Sequence, residues 1–120
     1  MPYHSFEDLE VWKKACRLTI RIYRELQGSR DYSLKDQMTR SAVSIASNIA
    51  EGAERGSGRD FKRFLTIAKG SAAELRTQIY IAERVGTLPH DKAAQFVSDV
   101  KHVSAMLHKL TKSISRATAN

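Results

Sequence analysis

Apolar residues recur three and four positions apart along most of this chain, the period of helices that bury one side. Around the central stretch 37–52, Leu34, Met38, Ala42, Ile45 and Ile49 share one face. Thr39, Val43, Ala46 and Ala50 widen that face to about half the circumference, whereas a core-facing helix needs a stripe of only about 100°. The extra width predicts a second partner. The far side, with Gln37, Arg40, Ser41, Ser44, Ser47, Asn48 and Glu51, reads either as a close helix contact through short side chains or as a solvated polar face.

The remaining helices follow from the same period. Ser5 ahead of Glu7 and Asp8 predicts an N-cap with acidic residues in the first turn. The first helix, about 6–27, has one stripe of Leu9, Trp12, Cys16, Ile20 and Tyr23, broadened by Val11, Ala15, Leu18, Ile22 and Leu26. Trp12 and Tyr23 are expected to pack in the core. Gly28 suits a left-handed C-terminal cap, and Ser33 is expected to cap the second helix, about 34–51. Ser57, with Asp60 three residues on, predicts the start of a third helix over about 59–85. Phe61, Phe64, Leu65, Ala68, Ala72, Leu75, Ile79 and Ala82 trace its core face. A parallel stripe of Thr66, Gly70, Ala73 and Thr77 is small throughout, and Gly70 is expected to permit a close helix crossing. Gly86 and Pro89 mark a stop and restart. The fourth helix, about 90–115, carries a narrow seam of Ala93, Phe96, Val100, Val103, Leu107, Leu110 and Ile114. A fraying tail is expected beyond it.

These elements predict an all-α single domain spanning 1–120, an antiparallel up-down-up-down four-helix bundle. Its first three helices carry more apolar surface than one bundle buries, which predicts a homo-oligomer of closed rotational symmetry.

Composition sharpens the expected partners. A formal net charge of +7 favours anionic ones, nucleic acid first and acidic protein or membrane surfaces second. The single Cys16 has no internal disulfide partner and is expected on the apolar side of its helix. No cationic start leads into an apolar run, and no 18 apolar residues run together, so neither a secretory signal nor a spanning helix is expected. The expectation is a cytoplasmic protein with no membrane partner.

The opening run Phe6-Glu7-Asp8-Leu9-Glu10-Val11-Trp12-Lys13-Lys14-Ala15 and the run from Gln37 through Arg40, Ser44 and Asn48 to Gly52 resemble the signatures of a known family. Phe64-Leu65, Ala68-Lys69-Gly70-Ser71, Glu74-Leu75 and Gln78 continue the resemblance, which covers about 6–88. The family is that of four-helix bundle proteins encoded in intervening sequences of bacterial large-subunit ribosomal RNA genes. It includes relatives of the accessory variability protein of diversity-generating retroelements. The resemblance implies a ring-shaped homopentamer with no established enzymatic activity. It also implies binding of nucleic acid, or of a reverse transcriptase, in one branch. Ala46 stands where the family often has proline, so the resemblance does not extend to a kink there.

Three groups of residues carry candidate chemistry. Lys13, Arg17, Arg21 and Arg24 share a face of the first helix, where Lys14 joins them in a basic ridge able to neutralise phosphates; the plainer reading is a solvated face. Arg55 and Arg59 flank a Gly-Ser-Gly loop leading into a helix N-terminus, which favours anions. It lacks the Gly-Lys-Ser/Thr ending of a phosphate-binding loop, and a flexible connector is the alternative. Arg40, Ser44, Asn48, Glu51, Gly70 and Glu74 suggest a structural polar cluster or subunit interface, since buried polar groups need partners. A catalytic carboxylate pair is the sharper alternative, with no histidine or metal motif beside it. His4, His90, His102 and His108 show no ligand spacing, so neither metal nor cofactor is expected. Nucleic-acid binding leads these readings. A scaffold docking an acidic protein partner comes second.

Overall fold

A computed structural model describes residues 5–118, and His4 lies outside them. Four α-helices follow a short 3₁₀ turn, Phe6–Asp8: α1 (Glu10–Leu26), α2 (Tyr32–Glu54), α3 (Gly58–Arg84) and α4 (His90–Thr118). α1 packs on α2 and α4, and α3 packs on the same two, while no described residues of the diagonal pairs approach closely. The result is a rod of 50 × 19 × 18 Å with the core along its axis.

The caps explain where these helices begin. Ser5 caps the 3₁₀ turn and not the first α-helix; its hydroxyl accepts from the Glu7 amide at 3.1 Å. α1 starts one turn later, from Leu9, with no side-chain cap. Phe6 folds back edge-on to Trp12, with ring centroids 5.1 Å apart. Asp31 replaces the expected Ser33 as the cap of α2. Its carboxylate accepts from the Leu34 amide at 3.2 Å and from the Thr87 hydroxyl at 2.7 Å. One aspartate thus starts a helix and ties two connectors together, which a hydroxyl two residues later would not reach. Ser57 caps α3 as expected, accepting from the Asp60 amide at 3.1 Å. Gly28 takes φ +85°, the left-handed conformation that ends α1 without a Cβ clash. α4 extends to Thr118, past the expected end near 115, and Ile114 packs against the core near that end.

The core is continuous through all four helices. It takes every apolar position predicted for α3, the Met38–Ala42–Ile45–Ile49 face of α2, and the α4 seam from Ala93 to Leu107. α1 differs. Its buried face is Val11, Ala15, Leu18, Ile22 and Leu26; of the expected principal stripe, Leu9 and Trp12 pack against the core from its edge, while Ile20 and Tyr23 are turned away. Ile20 and Tyr23 are about half exposed, while Trp12 and Cys16 are partly covered. A helix apolar around half its girth buries whichever arc its neighbours enclose, and here α2 and α4 enclose the second set.

Gly52 lies where α2 and α3 pack too closely to admit a side chain. A Cβ there would lie 2.6 Å from Phe64 Cβ and 3.2 Å from Phe61 Cδ1. Gly70 does not make the expected close crossing within the chain. It is exposed, and a Cβ there would meet nothing within 4 Å.

Candidate nucleic-acid interface

The basic face of α1 overhangs a groove of about 550 Å³ between α1 and α4. Lys14, Arg17, Ile20, Arg21 and Arg24 line it from α1, and Asp99 from α4. A second depression of about 260 Å³ continues it along Arg21 and Arg24 to Glu25, Lys92, Gln95 and Phe96. The continuous groove therefore presents five cations against two carboxylates. Both carboxylates hold cations. Asp99 accepts from Arg21 Nη2 at 2.7 Å and lies 3.8 Å from Lys14 Nζ; Glu25 lies 4.0 Å from Lys92 Nζ. Arg17 and Arg24 are exposed, and their side chains make no ion pair among the described residues.

Of the expected ridge, Arg17, Arg21 and Arg24 line the groove and Lys13 does not. Lys13 turns along its own helix to Glu10, at 3.4 Å, and Lys14 takes its place in the groove. Lys14 was visible in the basic run. Lys92 and Asp99 were not assignable to the site, because they approach α1 from far along the sequence, Asp99 from 78 residues away.

Arg55 and Arg59 lie at the turn between α2 and α3, apart from this groove. Arg55 pairs with Glu51 at 2.9 Å and lies over the Phe64 ring at 4.9 Å, with Arg63 over the same ring at 4.6 Å. These contacts give Arg55 a structural role in the α2–α3 turn. Arg59 is exposed.

The expected polar cluster is not assembled as a unit. Ser44 and Ser71 hydroxyls meet at 2.8 Å across α2 and α3, and Asn48 donates to Ser44 at its carbonyl (2.8 Å) and hydroxyl (3.0 Å). Arg40 instead pairs with Asp36, and Glu51 with Arg55, each one turn along its own helix. Glu74 and Gly70 are exposed and take no part. A long side chain on an exposed flank finds an i±4 partner at lower entropic cost than one on another helix. Ser71, which completes the bond, was missed; its only signal was its place beside the Ala68–Ala72 face. Further along α3, Gln78 Oε1 is buried without a hydrogen-bond partner.

On the other flank of α1 an apolar groove of about 380 Å³ runs against α2, lined by Trp12, Cys16, Ile20, Val43, Ala46 and Ala50 among others. Burial pushes the Cys16 thiol above its ordinary value, partly offset by the Arg17 guanidinium, so it is held as a thiol. Among the described residues no three His, Cys, Asp or Glu side chains gather as a metal site. Nor is any helix long and apolar enough to cross a membrane.

The order of helices and the groove now stand beside known proteins. Residues 7–109 match the family described as 23S rRNA-intervening sequence protein. The chain belongs to that family. A crystal structure of a protein of unknown function from the S23 ribosomal protein family of Bacteroides thetaiotaomicron superposes with a TM-score of 0.79. It is 24% identical, over 85% of this chain and 98% of that one, and supports the fold alone. No curated protein matches. The intervening-sequence family thus accounts for the four-helix architecture, and the groove residues are read from this chain itself.

Proposed function

We propose that this intervening-sequence protein is a non-enzymatic, oligomeric helical bundle that binds RNA or DNA through phosphate contacts along α1. The observation that carries this reading is the α1–α4 groove, five cations against two carboxylates on one side of the rod. Cations in such a row neutralise backbone phosphates and release counterions, which gives salt-dependent binding with little sequence preference. An up-down-up-down course belongs to the same reading. It is supported by the antiparallel pairing of α2 with α3 (Ser44 with Ser71, Gly52 with Phe64) and of α1 with α4 (Arg21 with Asp99, Glu25 with Lys92), and by the connector 27–31, too short to return along α1 and set α2 parallel to it. Exposed Ile20, Tyr23 and Val43 on α1 and α2, and Ile67 and Ile81 on one flank of α3, support self-association. Two different apolar faces suit head-to-tail contacts, which close into a ring; we propose the homopentamer, with each groove repeated by rotation.

A second reading, a scaffold docking an acidic protein partner, is favoured by the apolar groove that flanks the same basic helix. The deciding experiment is binding of the nuclease-treated protein to a structured RNA and to duplex DNA, at low and near-physiological salt. Arg17→Glu with Arg24→Glu, both exposed, is expected to weaken binding by about tenfold or more and flatten the salt slope by about two. Unchanged affinity removes the groove as the site. No binding to either nucleic acid at low salt turns the reading to the protein partner.

A further inference from the structure

The α1–α4 groove already holds an anion, one of the chain's own. Asp99 reaches from α4 so that one carboxylate oxygen accepts from Arg21 Nη2 at 2.7 Å and the other lies 3.8 Å from Lys14 Nζ. The Asp99 and Lys14 side chains are only 18% and 20% exposed, so this charge group is recessed between the helices. Arg17 and Arg24, by contrast, stand exposed on the same groove. An oxyanion gripped by a guanidinium and an ammonium two turns apart is the arrangement a phosphodiester would adopt there.

We infer that Asp99 occupies the seat of a nucleic-acid phosphate and acts as the residue that limits affinity in this groove. The inference rests on the groove being the nucleic-acid site proposed above. In the free chain Asp99 neutralises Lys14 and Arg21, leaving Arg17 and Arg24 to make the first phosphate contacts. A strand that settles deeper must displace Asp99 from Arg21 and then tolerate a carboxylate beside its own phosphate. At such separations like charges repel appreciably in a partly desolvated groove. The carboxylate therefore favours ligands whose backbone places several phosphates along α1 over those that offer a single anion.

Asp99→Asn keeps the size and hydrogen-bonding reach of the side chain while removing its charge. Binding of a fluorescent single-stranded RNA dodecamer is expected to tighten about tenfold, and the salt slope to steepen by about one to two, as two more cations become available. Asp91→Asn serves as the control: it makes the same change in net charge on α4 outside the groove, and is expected to bind within about twofold of the unaltered protein. If circular dichroism shows that Asp99→Asn does not fold, Asp99→Ser is read in its place. Equal gains from the Asp91 and Asp99 variants, or no gain from Asp99→Asn while the Arg17/Arg24 variant still loses affinity, overturn the assignment of Asp99 alone. Failure of both the unaltered protein and Asp99→Asn to bind at low salt overturns the nucleic-acid reading itself.

Discussion

His90 opens α4 and its Nδ1 contacts the Glu83 carboxylate near the end of α3. That hydrogen bond, and then the charge behind it, raises the imidazole pKa above the ordinary histidine value. A histidine whose folded pKa is raised contributes stability fully below its unfolded value near 6.5, and the contribution fades as pH climbs through the folded pKa. His90 is fully exposed, so the effect belongs in a titration curve before a melting curve. We expect the NMR titration of the His90 ring to have a midpoint above 6.5, and Glu83→Gln to bring it back toward that value. An identical midpoint in both proteins would dismiss the contact. Similar local economy governs Lys13, Arg40 and Arg55, which pair within their own helices at i±3 or i±4. Each partner lies at ordinary helical spacing, which the reading of a shared cluster passed over.

At the scale of elements, α2 and α3 form the most extensive pair, and at Gly52 they leave no room for a side chain. The Cβ of an alanine at 52 would press on Phe64 Cβ, the root of a side chain that cannot swing away. Gly52→Ala is therefore expected to destabilise the fold by about 1–3 kcal/mol in urea unfolding. Gly70→Ala, with open space at its Cβ, is expected to stabilise an isolated bundle by about 0.5–1 kcal/mol through helix propensity alone. Equal effects at the two glycines would contradict the packing described here. The sequence singled out Gly70 because its stripe is conspicuous, whereas the tight contact fell on Gly52, disguised as the end of a helix. Helix period located the four α-helices but not the 3₁₀ turn Phe6–Asp8 ahead of them. Which arc of α1 was buried depended on how α2 and α4 enclose it, and periodicity on a helix apolar around half its girth does not decide that.

For the whole molecule, apolar surface remains after one core is built. Ile20 and Tyr23 of α1 and Val43 of α2 are exposed, as are Ile67, Tyr80 and Ile81 of α3 and Val85 just past its end. With these faces as subunit contacts, sedimentation is expected to show an assembly, and Ile81→Glu, at a position 47% exposed, to dissociate it without loss of helical signal. A monomer at micromolar concentration would leave these residues as ordinary exposed apolar surface. Ile81→Glu leaves the basic groove untouched, since Ile81 lies on α3 and the groove is lined from α1 and α4; Ile20, by contrast, belongs to both surfaces.

The sequence by itself determined the four helices, most of their core faces, the basic character of α1 and the family, because helical period and charge are properties of neighbours along the chain. Only the tertiary structure decided that Asp31 caps α2, that Lys14 and not Lys13 faces the groove, and that Ser71 completes the contact to Ser44. It also brought Asp99 and Lys92 to α1. Asp31 caps its helix locally, through Leu34 three residues on, but the others depend on residues distant in sequence, and such pairings follow from how finished helices enclose one another, which local spacing does not encode.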